Sequence, residues 1–259
     1  MGQLIQNLKE KTDFFDKLLI FNISLITLSL AVSIFVADLL ASICSLIIIY
    51  FFLSKRNIIF FTSVKKEIFF FLLFYLVILI SLFFSNYKNE SFLASFFYFR
   101  YFLLSLGIFY LLKKYDFYFE FFFKSVFISF LIVVFDSLFQ YFSGFNLFGY
   151  AKEGTLQKDS LIYLTSFFGE EKKLGSYLVR FLPLILSLIF LYKPKISIYL
   201  ELFLLMLVGT LIFFTSERTA FFLFFVICFF YFLLSNYKLY FLISFFIFFI
   251  LLFNFQGNS

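Results

Sequence analysis

The sequence predicts an all-α protein, a polytopic bundle of transmembrane helices that forms a single domain over 1–259. Composition is the first reason: 64% of the residues are hydrophobic, 14% are charged and the mean hydropathy is +1.06. A soluble domain has about 45–50% apolar and about 25% charged residues. The second reason is that apolar runs of about 20 residues recur, the length of a membrane-crossing helix and twice that of a barrel strand.

The elements follow in order from these apolar runs. A polar lead-in of 17 residues precedes the first run, which is not a cleaved signal peptide because further spans follow it. We predict a tight turn near Asp38 between the first two spans, a kink at Pro183, and turns at Gly144, Gly149 and Gly169. An outward loop is expected at about 143–172. The nine predicted spans are about 18–36, 39–54, 67–84, 92–112, 119–142, 173–192, 196–214, 219–235 and 239–255.

The basic residues predict a cytoplasmic N-terminus, since Lys and Arg are enriched in cytoplasmic loops. In this orientation 13 of the 21 basic residues lie in inner segments. The outer loops hold five, namely Lys88, Lys152, Lys158, Lys172 and Lys173. The net charge of +6 therefore reflects loops between spans and does not indicate binding to nucleic acid.

Charged residues inside the spans are the candidate site. Such residues cost roughly 2.5–3.5 kcal/mol each on insertion scales and are functional candidates for that reason. Arg100, Asp136 and Arg180 are predicted to be buried about six to eight residues, roughly 9–12 Å, below the outer ends of their spans. Arg218 is expected at the outer lip between the seventh and eighth spans. The four charges are thus predicted in the outer leaflet zone and open to the outside.

Arginines at one depth favour a multivalent anion, because a guanidinium binds phosphate through two hydrogen bonds and stays charged when partly buried. A lipid-linked pyrophosphate combines an anionic head with an apolar tail. Asp136 is expected either to pair with an arginine or to act as a base. In the alternative interpretation the charges only form salt bridges between packed helices, and Glu217 is a solvated residue. No metal or cofactor site is predicted: there is no His, and Cys44 and Cys228 are interpreted as small apolar residues in separate spans.

Six short motifs occur in order along the chain: Tyr98-Phe99-Arg100-Tyr101, Asp136-x-x-x-Gln140-Tyr141-Phe142-x-Gly144, Asn146-Leu147-Phe148-Gly149, Ser166-Phe167-Phe168-Gly169, Leu174-Gly175-Ser176-Tyr177-Leu178 and Glu217-Arg218-Thr219-Ala220. Together they resemble the bacterial O-antigen ligase family. That family has a span ending in D-x-x-x-Q-Y-x-x-G, an F-G turn, an L-G-x-Y-L entry to the next span, an earlier arginine-bearing span, and an E-R-x-A signature. The matching motifs here begin at Asp136 (with Gln140 as its glutamine), Asn146, Ser166, Leu174, Tyr98 and Glu217. The resemblance covers about 90–240.

The resemblance implies a glycosyltransferase of the bacterial inner membrane that uses no nucleotide sugar. Such enzymes move a glycan from undecaprenyl pyrophosphate to the lipid A core, or to a growing glycan, on the periplasmic face. Carried over by position, Arg100, Arg180 and Arg218 hold the donor pyrophosphate, with Asp136 and Gln140 beside them. Membrane lipid is the remaining expected partner.

The sequence also departs from the family. Family members continue into a large periplasmic loop with a His proposed as base, whereas this sequence has no His and ends at Ser259. We therefore expect a truncated, inactive piece that retains the donor-binding half, with no residue assigned as catalytic. Two other functions stay open at this point: a transporter or flippase for a lipid-linked or anionic solute, and a structural membrane protein.

Overall fold

The computed structural model describes residues 13–54, 58–150, 163–169, 171–192, 197–234, 238–243 and 245–246. Within these ranges the chain is helical and has no β-strand. Two short 3-10 helices occur at Leu82–Phe84 and Ser166–Phe168. The α-helices are α1 (Phe14–Val32), α2 (Ile34–Leu53), α3 (Ile58–Ser63), α4 (Lys65–Ser81), α5 (Lys88–Phe96), α6 (Phe99–Lys114), α7 (Asp116–Ser143), α8 (Leu174–Tyr192), α9 (Ser197–Phe214) and α10 (Arg218–Leu234).

Among the described residues, six helical stretches are long and apolar enough to cross a membrane, and α9 and α10 contribute two shorter apolar stretches. The first eight predicted spans each overlap one of these stretches, so the all-α, multi-pass prediction is confirmed at that level. Most of the ninth predicted span, 239–255, lies outside the described residues, as do the lead-in over 1–12 and the loop positions 151–162. The count of nine spans and the cytoplasmic N-terminus stay predictions.

The break between the first two helices differs from the predicted turn at Asp38. It falls at Ser33, which is extended at φ −157° and whose hydroxyl accepts a bond from the Val36 amide at 3.4 Å. Asp38 instead lies inside α2 and forms an ion pair with Arg100 at 2.8 Å. A serine side chain at a helix start accepts a hydrogen bond from a free backbone amide of that helix. This local hydrogen bond places the turn at Ser33.

The fourth predicted span, 92–112, is interrupted. Helix α5 ends at Phe96 and α6 begins at Phe99, with Phe97 and Tyr98 forming a turn. Helix α6 alone is about 24 Å long, shorter than the roughly 30 Å hydrocarbon core of a bilayer. The whole stretch Lys88–Lys114 is needed to reach a spanning length.

Packing divides the chain into two compact units, Met1–Phe122 and Phe123–Ser259, and the division falls within α7. In the first unit α6 packs on α1 and α2. Its apolar core includes Leu19, Cys44, Ile48, Phe51 and Leu111. Helix α4 of the same unit buries none of its residues. A helix that is apolar all round and exposed suits a lipid environment.

An ion pair between the buried Asp16 and Lys114 joins α1 to α6 in the first unit. Asp16 is fully buried and accepts bonds from Lys114 Nζ and the Tyr115 hydroxyl, both at 2.7 Å, and from the Tyr110 hydroxyl at 3.3 Å. Burial, followed by the contact with Asp16, raises the pKa of the Tyr115 hydroxyl. Sequence analysis had placed Asp16 in a polar lead-in. The error arose because its cation lies 98 residues further along the chain.

In the second unit α8, α9 and α10 pack against one another. Leu178, Leu182, Val208, Ile212 and Phe224 belong to its interior. The helix α8 continues through Pro183 up to Tyr192. This packing brings the first turns of α8 and α10 to the end of the unit where α9 finishes.

Candidate functional site

Two hydrogen-bonded groups of polar residues in the second unit lie near the predicted site residues. We call the first the loop clamp, made of Asp136, Gln140, Asn146 and Ser166. We call the second the helix junction, made of Gly175, Ser176, Thr215 and Glu217. Each group joins segments that are far apart in sequence.

Asp136 belongs to the loop clamp and is bonded to the following loop rather than to an arginine. Its carboxylate accepts from the Leu147 amide at 2.8 Å and from the Ser166 hydroxyl at 2.5 Å, and the residue is fully buried. A buried carboxylate needs such donors, because an unpaired one costs several kcal/mol. The hydrogen bonds explain the burial of Asp136 without an ion pair.

Gln140 lies one helical turn after Asp136 on α7, so the two side chains share a helix face. Its Oε1 accepts from the backbone amides of Thr165 and Ser166 at 3.0 and 2.8 Å. Its Nε2 donates to the Tyr150 carbonyl and to Thr165 Oγ1, both at 3.4 Å. A single buried side chain therefore fixes the chain on both sides of 151–162.

Asn146 completes the loop clamp. Its Oδ1 accepts from the amides of Phe148 and Tyr150 at 3.0 and 2.7 Å, and its Nδ2 donates to the Ser166 carbonyl at 2.7 Å. Gly149 sits inside this turn at φ +84°, a conformation that glycine adopts without steric cost. The predicted turns at the three glycines are confirmed, since Gly144 and Gly169 also have positive φ.

Ser166 is held in an unfavourable backbone conformation. Its φ is +51°, in the left-handed region that non-glycine residues rarely adopt. Each of its polar groups is used: the amide by Gln140, the hydroxyl by Asp136 and the carbonyl by Asn146. These three side chains stabilise the strained residue, which is itself fully buried.

Glu217 is the centre of the helix junction and corrects an expectation. Sequence analysis treated it as a solvated residue, but it is only 9% exposed. Its Oε1 accepts from the Gly175 amide at 2.6 Å, and its Oε2 accepts from the Ser176 amide at 3.0 Å and hydroxyl at 2.7 Å. The carboxylate thus caps the free N–H groups in the first turn of α8, where a negative charge is also favoured by the helix dipole.

Two of the predicted arginines flank the helix junction. Arg218 follows Glu217 directly and opens α10, and Arg180 lies four residues after Ser176 on α8. Both side chains are exposed at the surface of the protein. The predicted depth of Arg180 in the membrane stays a prediction. Among the described residues neither has an ion-pair partner.

Arg100 lies in the first unit and differs from the other two arginines. Its Nη2 is 2.8 Å from Asp38 Oδ2 and donates to the Tyr101 hydroxyl at 2.9 Å, and that hydroxyl donates to Asp38 Oδ1 at 3.0 Å. Its Nε is buried without a partner. The charge of Arg100 is therefore balanced inside the unit. The predicted gathering of Arg100 with Arg180 and Arg218 stays a prediction.

Sequence reasoning named Asp136 and Gln140 but missed what they bind, and it missed the role of Asn146 and Ser166. The spacing of Asp136 and Gln140 was a usable signal, because four residues place two polar side chains on one helix face. In the described part of the chain no group of three or more His, Cys, Asp or Glu residues is placed to hold a metal ion.

Comparison with protein-family models, with curated proteins and with solved structures finds no match for this chain. The fold and the site together define a multi-pass helical membrane protein. Two exposed arginines lie beside the start of α8, which Glu217 caps. The resemblance to the O-antigen ligase family stays a prediction that rests on the sequence motifs.

Proposed function

We propose that this chain binds the pyrophosphate of a lipid-linked glycan in the bacterial inner membrane, as the donor-binding part of a glycan transferase of the O-antigen ligase type. The observation that carries the proposal is the state of Arg180 and Arg218. Both are exposed and have no ion-pair partner among the described residues, although the unit around them is strongly apolar.

Unpaired cations in an apolar protein favour an anionic ligand. A guanidinium offers five donors in a planar fork, and a phosphate accepts two of them at once. Glu217 already occupies the free N–H groups at the start of α8. An incoming anion is therefore bound by the arginine side chains and not by the helix N-terminus.

The rest of the second unit suits a ligand with a hydrocarbon tail. An open groove of about 440 Å³ on α7 is lined by Phe135, Leu138, Phe139, Phe142 and Ser143. Burial of a lipid chain in an apolar groove stabilises the complex by roughly 25 cal/mol per Å² of apolar surface removed from water. Anionic head and apolar tail are the two features of a lipid-linked pyrophosphate.

In the transferase the arginines stabilise the negative charge that develops on the leaving pyrophosphate, which is the usual role of such donors. The acceptor is the lipid A core or a growing glycan.

Binding to the purified protein in lipid nanodiscs tests the proposal, with undecaprenyl pyrophosphate as the probe. Arg180→Gln and Arg218→Gln each remove one charged donor, and we expect each to weaken binding by about tenfold or more. Lys65→Gln is the control, because it removes one exposed positive charge from the first unit. Equal affinity of the wild type and both arginine variants would refute the proposal.

A further inference from the structure

We infer that Glu217 is a positioning residue, which sets the separation of Arg180 and Arg218 by locking the start of α8 to the start of α10. This inference rests on the proposed function, since it concerns how the two arginines come to act on one anion. Glu217 itself does not contact the ligand in this account.

The hydrogen bonds from Gly175 and Ser176 to Glu217, which we call the lock, replace a missing N-terminal cap of α8. The residue before α8 is Lys173, whose side chain has no hydrogen-bond acceptor, so the first turn of α8 cannot be capped locally. Glu217 caps it from 42 residues away, with bonds to the amides of Gly175 and Ser176 and to the Ser176 hydroxyl. The connection between α8 and α10 is thus made by the same bonds that complete α8.

Close packing makes the lock rigid. A methyl group added at Gly175 would lie 2.6 Å from Thr215 Oγ1 and 3.0 Å from the Ala220 side chain. The backbone between Thr215 and Glu217 turns through Ser216 at φ +56°. The two helix starts therefore meet without room for a side chain between them.

The two arginines take their positions from this lock. Arg218 is the chain neighbour of Glu217, and Arg180 lies one helical turn from Ser176 on the same face of α8. Hydrogen bonds to oxygen form over a narrow range of donor–acceptor distances, typically about 2.7–3.2 Å. Two side chains on different helices therefore bind one anion well only if the helices keep their spacing.

The lock also leaves the charge of Arg218 available for a ligand. Glu217 and Arg218 are adjacent and of opposite charge, yet they form no ion pair within the described residues. The carboxylate is used instead by the three donors of Ser176 and Gly175. A glutamate at this place therefore holds the helices without neutralising the arginine beside it.

Ser176→Ala tests the inference without changing charge, because among the described residues the Ser176 hydroxyl bonds only to Glu217. We expect the affinity for undecaprenyl pyrophosphate in nanodiscs to fall about fivefold, and Ser176→Thr, which keeps a hydroxyl, to restore it. Ser187→Ala is the matched control on the same helix, since its hydroxyl bonds to the carbonyls of Pro183 and Leu184 and to no other group in the described part of the chain.

A double-mutant cycle separates positioning from a merely structural role. We expect Arg218→Gln to cost less affinity in the Ser176→Ala background than in the wild type, because the arginine is already displaced there. Additive losses, or a Ser176→Ala protein that binds as tightly as Ser187→Ala, would overturn the inference while the proposed function stands. If Arg180→Gln and Arg218→Gln have no effect on the wild type, the proposed function fails and the inference with it.

Discussion

At the scale of single residues, acids and bases of the second unit differ in their role. The carboxylates of Asp136 and Glu217 are both consumed by amide and hydroxyl donors of the protein. Arg180 and Arg218 are exposed and unpaired among the described residues. Asp136 and Glu217 therefore hold the site together, and Arg180 and Arg218 are the charged residues that we propose bind a ligand.

The loop clamp gives a prediction at this scale. Asp136→Ala leaves the Leu147 amide and the Ser166 hydroxyl without a partner inside the protein, and we expect a loss of about 3 kcal/mol in the free energy of unfolding. Thermal unfolding in detergent measures it. Asp116→Ala, at an exposed position in the first turn of α7, is the control and should cost less than about 1 kcal/mol. Equal losses in the two variants would show that the bonds of Asp136 contribute little.

At the scale of elements, the contact between α8 and α10 depends on a glycine. Gly175→Ala places a methyl group 2.6 Å from Thr215 Oγ1, and we expect it to destabilise the protein by about 1–3 kcal/mol through overpacking. Gly107→Ala is a matched control, since its methyl group would meet Ile48 and Leu19 at the ordinary distances of 3.5–3.6 Å. The melting temperatures of the two variants are compared, and a Gly175→Ala protein as stable as Gly107→Ala would contradict the tight contact.

The elements also show what the sequence can and cannot predict. Apolar runs located the helices because burial in lipid depends on composition over some 20 residues. Single charges were misinterpreted because their partners are distant: Asp38 meets Tyr101 63 residues away and Glu217 meets Gly175 42 residues away. The break at Phe97 carries no Pro or Gly, so no local signal announces it.

Of the site, the sequence likewise predicted some residues but not their hydrogen bonds. The two arginines beside the helix junction were named from the sequence, Arg180 because it lies inside an apolar span and Arg218 because it lies between two spans. The hydrogen bonds of Asp136 and Gln140 could not be predicted in this way, because three of them are donated by the backbone amides of Leu147, Thr165 and Ser166. Any residue type supplies such an amide, so the sequence does not mark it.

At the scale of the whole molecule, the orientation in the membrane follows from the basic residues and can be tested. Lys88 and Lys113 lie at opposite ends of the spanning stretch Lys88–Lys114. With a cytoplasmic N-terminus, Lys88→Cys should react with a membrane-impermeant maleimide in spheroplasts, and Lys113→Cys only after the membrane is permeabilised. The native Cys44 and Cys228 are buried and give little background. The opposite labelling pattern would reverse the orientation.

We propose that the second unit recognises an anionic head on a lipid, and a competition experiment between a charged and an uncharged lipid tests this. Wild-type protein in nanodiscs is offered undecaprenyl pyrophosphate and undecaprenol together, and the bound lipid is determined by native mass spectrometry. The account predicts strong preference for the pyrophosphate, which weakens at high salt because exposed charges are screened. Equal retention of both lipids, unchanged by salt, would mean that only the apolar chain is bound and would contradict the account.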